Sequence, residues 1–337
     1  MKKIIILILS LTFILLPITG CKKKNRFAID ANKNRIEVEI KRFDKDLISL
    51  DTIEIQSGIE RLYGKYPDFF PVFVANVLGV EPTDTILVSA FIKEFLTDSI
   101  FTAVNQMVLN TFDDMANAEK SISTAYTYIR HYFPDILLPE VYFFVSGFNS
   151  SIMMTDQFIA MGTDMYLGAD FPAYQSITYQ YMLDNMKPEN VAPDMVSALL
   201  FREFRMDSEQ NRLLENMLFR GKVMYLLSIV IPDEKEEYLI GYTSEQIKWC
   251  EKYERQTWAA IIDQKHLFSS DSFIIRKYLN DAPFTSTVSP DSPGRLGTWV
   301  GWQIVKSYMS RNEDVTLDDL MADNDYQKIL EKSGYRP

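Results

Sequence analysis

Apolar residues recur at helical spacing along most of this chain. Phe91, Phe95, Ile100, Val104 and Met107 form one such stripe, and Ile122, Tyr126, Ile129 and Phe133 form another. Each predicts an amphipathic helix that turns these side chains toward a core. Tyr66-Pro67-Asp68-Phe69-Phe70-Pro71 and Tyr132-Phe133-Pro134-Asp135 interrupt the pattern as aromatic turns, because a residue before proline is pushed out of the helical region.

Two other segments alternate or run apolar with β-branched and aromatic content. Val141 to Val145 and Phe158 to Gly162 read as strands around the turn cluster Gly147 to Ser151, and the alternation of Ile36 to Ile40 adds a weaker strand signal. A small antiparallel sheet is the expectation. Helices resume from Tyr174: Pro193 opens the one carrying Met195 to Met206, and Thr243-Ser244-Glu245-Gln246 is a capping box. Ser292-Pro293-Gly294-Arg295-Leu296-Gly297 launches a further helix with Trp299 and Ile304. The fold class is mostly α with a small antiparallel β-sheet (α+β). Without repeats or composition breaks, residues 35–337 read as a single mostly helical globular domain.

The N-terminus follows a different logic. Lys2 and Lys3 precede an apolar run from Ile4 to Leu16, and Ile18-Thr19-Gly20-Cys21 has the small residues and the thiol of a lipobox. Residues 1–20 are read as a signal peptide and 21–34 as a lipidated tether beginning at Cys21. A membrane-spanning helix needs about 20 apolar residues, which this run lacks. The expected location is a membrane, held by lipid and facing the periplasm, with the inner or outer membrane left open.

Charge narrows the partners. Against 35 basic residues stand 46 acidic ones, a formal net charge of −11, which argues against nucleic acid. The cluster Lys22-Lys23-Lys24 lies beside the lipid, where each lysine adds about 1 kcal/mol of attraction to anionic headgroups. With Cys21 acylated, Cys250 has no partner and reads as a core residue.

Catalytic signals are sparse. His131 and His266 are the only histidines, which rules out a three-histidine metal site, and neither a G-x-S-x-G elbow nor a P-loop appears. No metal or cofactor is expected. Gly297-Thr298-Trp299-Val300-Gly301 reads as close helix packing, with Gly294, Arg295, Gly297 and Gly301 structural. Asp164 sits in a turn after a strand, where a structural carboxylate is the plainer reading and a binding role the sharper one.

Arg42-Phe43-Asp44, Tyr66-Pro67-Asp68-Phe69-Phe70, Asp164-Met165-Tyr166-Leu167-Gly168, Gly221-Lys222 with Tyr225, Pro293-Gly294-Arg295-Leu296-Gly297 and Gly301-Trp302-Gln303-Ile304-Val305, in this order behind a lipobox, resemble the gliding motility lipoprotein GldB family of the Bacteroidetes. The resemblance implies a lipid-anchored envelope protein associated with gliding machinery, with no established enzymatic activity. Its expected role is that of an adaptor or accessory factor with an envelope protein as partner.

A more distant likeness is to zincin-type metallopeptidases, whose H-E-x-x-H falls on Arg202-Glu203-Phe204-Arg205-Met206. Arg202 and Met206 stand where two imidazoles would bind zinc, so the likeness implies a zincin-like scaffold with its metal chemistry lost. The alternative function is a degenerate hydrolase with Glu203 as general base. The expected binding cleft gathers Asp164, Glu203 and Arg205, with Trp299 and Trp302 nearby.

Overall fold

The computed structural model describes residues 26–337; Cys21 and the signal peptide lie outside the described residues. All elements below belong to the compact unit Ala31–Pro337.

Four strands form one mixed sheet, ordered β1-β2-β4-β3: β1 (Lys41–Arg42), β2 (Glu140–Phe144), β3 (Ile152–Met154) and β4 (Phe158–Gly162). β1 and β4 both run parallel to β2, and only β3 and β4 are antiparallel. The expected antiparallel sheet is thus corrected to a mixed one. The chain turns after β2 at Gly147, runs back along the edge as β3, and reverses again through residues 155–157, so β4 slots between β2 and β3 in the direction of β2. Both central strands are buried almost throughout, as parallel strands covered on two faces must be.

Helices α1 (Phe43–Ile48), α2 (Ile55–Lys65), α3 (Phe70–Phe73), α4 (Thr85–Thr97), α5 (Ser99–Thr111) and α6 (Ala116–Tyr132) precede β2. After the sheet come α7 (Tyr174–Ile177), α8 (Val191–Glu203), α9 (Leu213–Val230), α10 (Glu236–Ile240) and α11 (Ser244–Asp263). The chain closes with α12 (Ser272–Leu279), α13 (Leu296–Arg311), α14 (Leu317–Ala322) and α15 (Tyr326–Ser333). The Thr243 capping box forms, its hydroxyl accepting from Gln246 N–H while Gln246 answers Thr243 N–H. Cys250 is buried, and burial pushes its thiol well above the ordinary range.

The Arg42-Phe43-Asp44 segment organises one face of the sheet. Phe43 is fully buried, with its ring centroid 4.9 to 5.7 Å from those of Tyr66, Phe69, Phe70 and Phe73. Phe69 carries this cluster onto Tyr142 and Phe158. The flanking charges join in a fork: Arg42 Nε and Nη2 donate to the two oxygens of Asp44, each at 2.9 Å, while Nη1 donates to Phe112 O.

Residues 36–40 alternate as expected but do not enter the sheet. Their N–H groups at Ile36, Val38 and Ile40 donate instead to Thr127 Oγ1, Ser123 Oγ and Glu119 Oε1 along α6. Two extended residues advance about 6.6 Å and four helical residues about 6 Å, so alternate amides keep step with every fourth helix position. The stripe Ile122, Tyr126, Ile129, Phe133 is buried, but Phe91, Ile100 and Met107 are exposed, 66% in the case of Ile100. Here the buried faces are Val88, Ile92 and Phe95 on α4 and Val104 and Val108 on α5.

α9 and α13 cross at glycine. A Cβ on Gly221 would lie 2.3 Å from Gly301 C, and one on Gly301 would lie 1.9 Å from Met217 O. Trp299 and Trp302 are buried on α13, and the Lys306 amine lies 3.8 Å from the Trp302 ring centroid. Next to the crossing, buried Lys222 donates to Asp323 O at 2.6 Å just beyond α14.

Candidate functional site

A cavity of about 350 Å³, within the size range of small-molecule sites, opens between α8, α9, α10 and the start of α13. Its floor is polar. Arg295, the residue before α13, holds a left-handed backbone at φ 54°. Its Nη2 donates to Ile240 O at 2.8 Å and Gly241 O at 3.1 Å, tying the bare carbonyls at the end of α10. Its Nε pairs with Asp281 Oδ1 at 2.9 Å. Gly294 before it cannot be enlarged, because a Cβ there would meet Ala282 O at 2.1 Å. Gly297 lies under Tyr278 on α12.

Arg220, on α9, donates from Nη1 to Leu279 O at 2.9 Å, the last residue of α12. Burial, then the like charge of Arg295, lower its pKa from the ordinary arginine value. Asp194, in the first turn of α8, accepts from Tyr166 Oη at 3.0 Å. It is recessed yet open to the cavity, and burial pushes its carboxyl up to about 6, opposed by the Tyr166 bond and Arg295 and assisted by Asp281. Thr298, on the first turn of α13, lines the same floor at 5% exposure. Its Oγ1 has no hydrogen-bond partner among the described residues. The rim is apolar: Met182 and Phe201 line the mouth and remain 36% and 38% exposed, beside the stacked rings of Tyr179 and Tyr181.

The raised Asp194 carboxyl has a stability consequence. Its folded pKa lies above the unfolded value near 3.9, so its contribution is complete below that value and lost as pH rises through about 6. Asp194→Asn keeps an acceptor for Tyr166 and removes the buried charge. It should therefore stabilise the fold by about 2 to 3 kcal/mol at pH 7.5 and change little at pH 3.5, as urea unfolding at the two pH values would show.

Asp164, Glu203 and Arg205, expected to share a cleft, do not line this cavity, and neither do Trp299 and Trp302, expected nearby. Asp164 is buried in a lock, its carboxylate accepting from Ser146 N–H at 2.8 Å, Ser146 Oγ at 3.0 Å and Phe148 N–H at 2.6 Å. Glu203 is the last residue of α8 and accepts from its neighbour Arg202 at 2.6 Å, while Arg202 also reaches Thr155 O. Arg205 is exposed beyond the helix end, and Trp299 and Trp302 belong to the interior.

Asp194, Arg220, Tyr166 and Thr298 went unread as a site. Two of the quoted motifs do converge here, since Tyr166 lies in Asp164-Met165-Tyr166-Leu167-Gly168 and Arg295 in Pro293-Gly294-Arg295-Leu296-Gly297.

The model of the gliding motility protein GldB family matches residues 24–337, and the chain belongs to that family of lipoproteins. Gliding motility, and association with a membrane through lipid, come with membership. No curated protein and no solved structure matches the chain. The zincin resemblance has no support and is corrected: an H-E-x-x-H needs its two ligands a turn apart on one helix, and α8 ends at Glu203, before Met206. Among the described residues no helix is long and apolar enough to cross a membrane.

Proposed function

We propose that this chain is a non-catalytic, lipid-anchored envelope protein that faces the periplasm and serves the gliding machinery as an adaptor, gripping its partner at the Arg220–Arg295 cavity. The observation that carries this reading is the arrangement of that cavity: a polar floor fixed by helix ends, under an exposed apolar rim. Surface apolar residues gathered at a concave mouth favour binding over solvation. Cys21 is the proposed lipid attachment, and Lys22-Lys23-Lys24 follow it where surface-exported lipoproteins of this bacterial group tend to carry acidic residues. The floor groups are held by carbonyls and by one another, an arrangement suited to recognition.

The test is complementation of a null strain. Met182→Glu with Phe201→Glu should give a folded, lipidated protein at ordinary levels that fails to restore colony spreading, and Cys21→Ser should leave the precursor unprocessed. Full spreading by the rim variant would overturn the adaptor site.

A further inference from the structure

Resting on that reading of the cavity, we propose that its ligand is a carboxylate borne on an apolar group, held between the guanidiniums of Arg220 and Arg295. Both arginines spend part of their donor set on the fold and keep part for the cavity. Arg220 uses Nη1 on Leu279 O, leaving Nε and Nη2 without a protein acceptor among the described residues. Arg295 uses Nε and Nη2, leaving Nη1. Planar guanidinium forks match the two oxygens of a carboxylate.

The electrostatics point the same way. Each guanidinium raises the cost of the other, and the ion-pair partner of Arg295, Asp281, is 61% exposed and weakly effective through solvent screening. An anion seated between them relieves that repulsion. Thr298 Oγ1, buried and unpaired, adds a hydroxyl donor from the same floor.

A dianion such as phosphate fits worse. Asp194, Asp184 and Asp281 all face this space, so a second negative charge meets three carboxylates. A monoanion meets a floor whose most recessed acid, Asp194, takes up its proton as the pH falls through about 6, well above the usual carboxylate range. The charged and titratable groups that line the space with Asp194 are Tyr166, Tyr181, Asp184, Arg220, Tyr242, Asp281 and Arg295. A ligand carboxylate adds a negative charge among them, so binding takes up a proton at Asp194 and weakens as pH rises past about 6. The apolar rim at Met182 and Phe201 accounts for the other end of the ligand.

Calorimetry on the full-length lipidated chain in detergent tests this with three probes at pH 5.5 and 7.5: N-acetyl-Leu-Phe, its C-terminal amide, and 3-phenylpropionate. The acid peptide should bind at least about tenfold more tightly than the amide, and more tightly at the lower pH. Binding of 3-phenylpropionate as well marks any apolar acid as a ligand, whereas binding of the peptide acid alone marks a chain terminus; both carry the proposal. Arg220→Gln should lose binding about tenfold while its melting curve stays cooperative, and Asp194→Asn should bind with little pH dependence. Equal binding of acid and amide, or no binding of either acid, overturns the proposal, and neither outcome depends on a variant folding. Failure of the adaptor reading is distinct, since it is seen in cells as full spreading by the rim variant whatever the calorimetry shows.

Discussion

Gly301→Val should leave no cooperatively folded protein. A Cβ at this position would stand 1.9 Å from Met217 O and 2.5 Å from Met217 C, and both are backbone atoms that no rotamer change can move. Overpacking a core costs about 1 to 3 kcal/mol where side chains can yield, and here the whole of α9 must withdraw from α13, so that range is a lower bound. The separation would open Ile304, Val305 and Tyr308, buried residues that share the Gly301 face of α13. Circular dichroism and thermal melting of the purified variant check it, and a melting temperature within a few degrees of the parent would show that the crossing tolerates a side chain. Gly221→Ala, opposed by Gly301 at 2.3 Å, should fail in the same way, though with a smaller side chain to accommodate.

Arg42→Ala should cost about 3 to 5 kcal/mol, because it strands the Asp44 carboxylate at 0% exposure with its charged partner gone. Burial already raises the Asp44 pKa above its ordinary value even with Arg42 opposing it. Removing the guanidinium raises it further, so the deficit should shrink as pH falls and the carboxyl takes up its proton. Replacing both members, Arg42→Met with Asp44→Leu, should recover most of the loss, since the penalty comes from an unpaired charge rather than from a missing attraction. Urea unfolding at two pH values separates the three proteins. A single variant as destabilised at pH 4.5 as at pH 7.5 would exclude the stranded carboxylate as the cause.

The parts of the fold legible in the sequence were those set by local period. The α6 stripe and the strands at 140–144 and 158–162 emerged because burial on one face, or on both, writes itself directly into residue spacing. Strand direction did not emerge. It depends on the three-residue edge strand Ile152–Met154, too short to show alternation, whose insertion adds the second reversal. The alternation of Ile36–Ile40 was real, yet its partner was a helix, and a period of two does not say what the alternate amides will meet.

The site was hidden for a different reason. Its floor comes from the turn after β4, the first turn of α8, the middle of α9 and the start of α13, segments whose proximity is a product of the fold. The Arg202–Met206 segment lies at the far end of α8, Glu203 standing about two and a half turns from Asp194. Arg295 was legible as structural from its proline-glycine setting, but nothing local showed that it and Arg220 would face one space.

The clip between residues 36–40 and α6 gives the folded unit a defined response to load. A pull transmitted to Ile36 loads the strip, where three amides are spaced along one helix face, before it reaches β1, which lies parallel to β2. Traction along the strip strains these bonds together in shear, rather than peeling them one after another. The Arg42–Asp44 fork and Phe43 lie immediately behind as an anchor in the core. A chain tethered at that end is thus braced at its point of attachment, with the cavity on α8, α9 and α13 well removed in sequence from the segment that takes the tension.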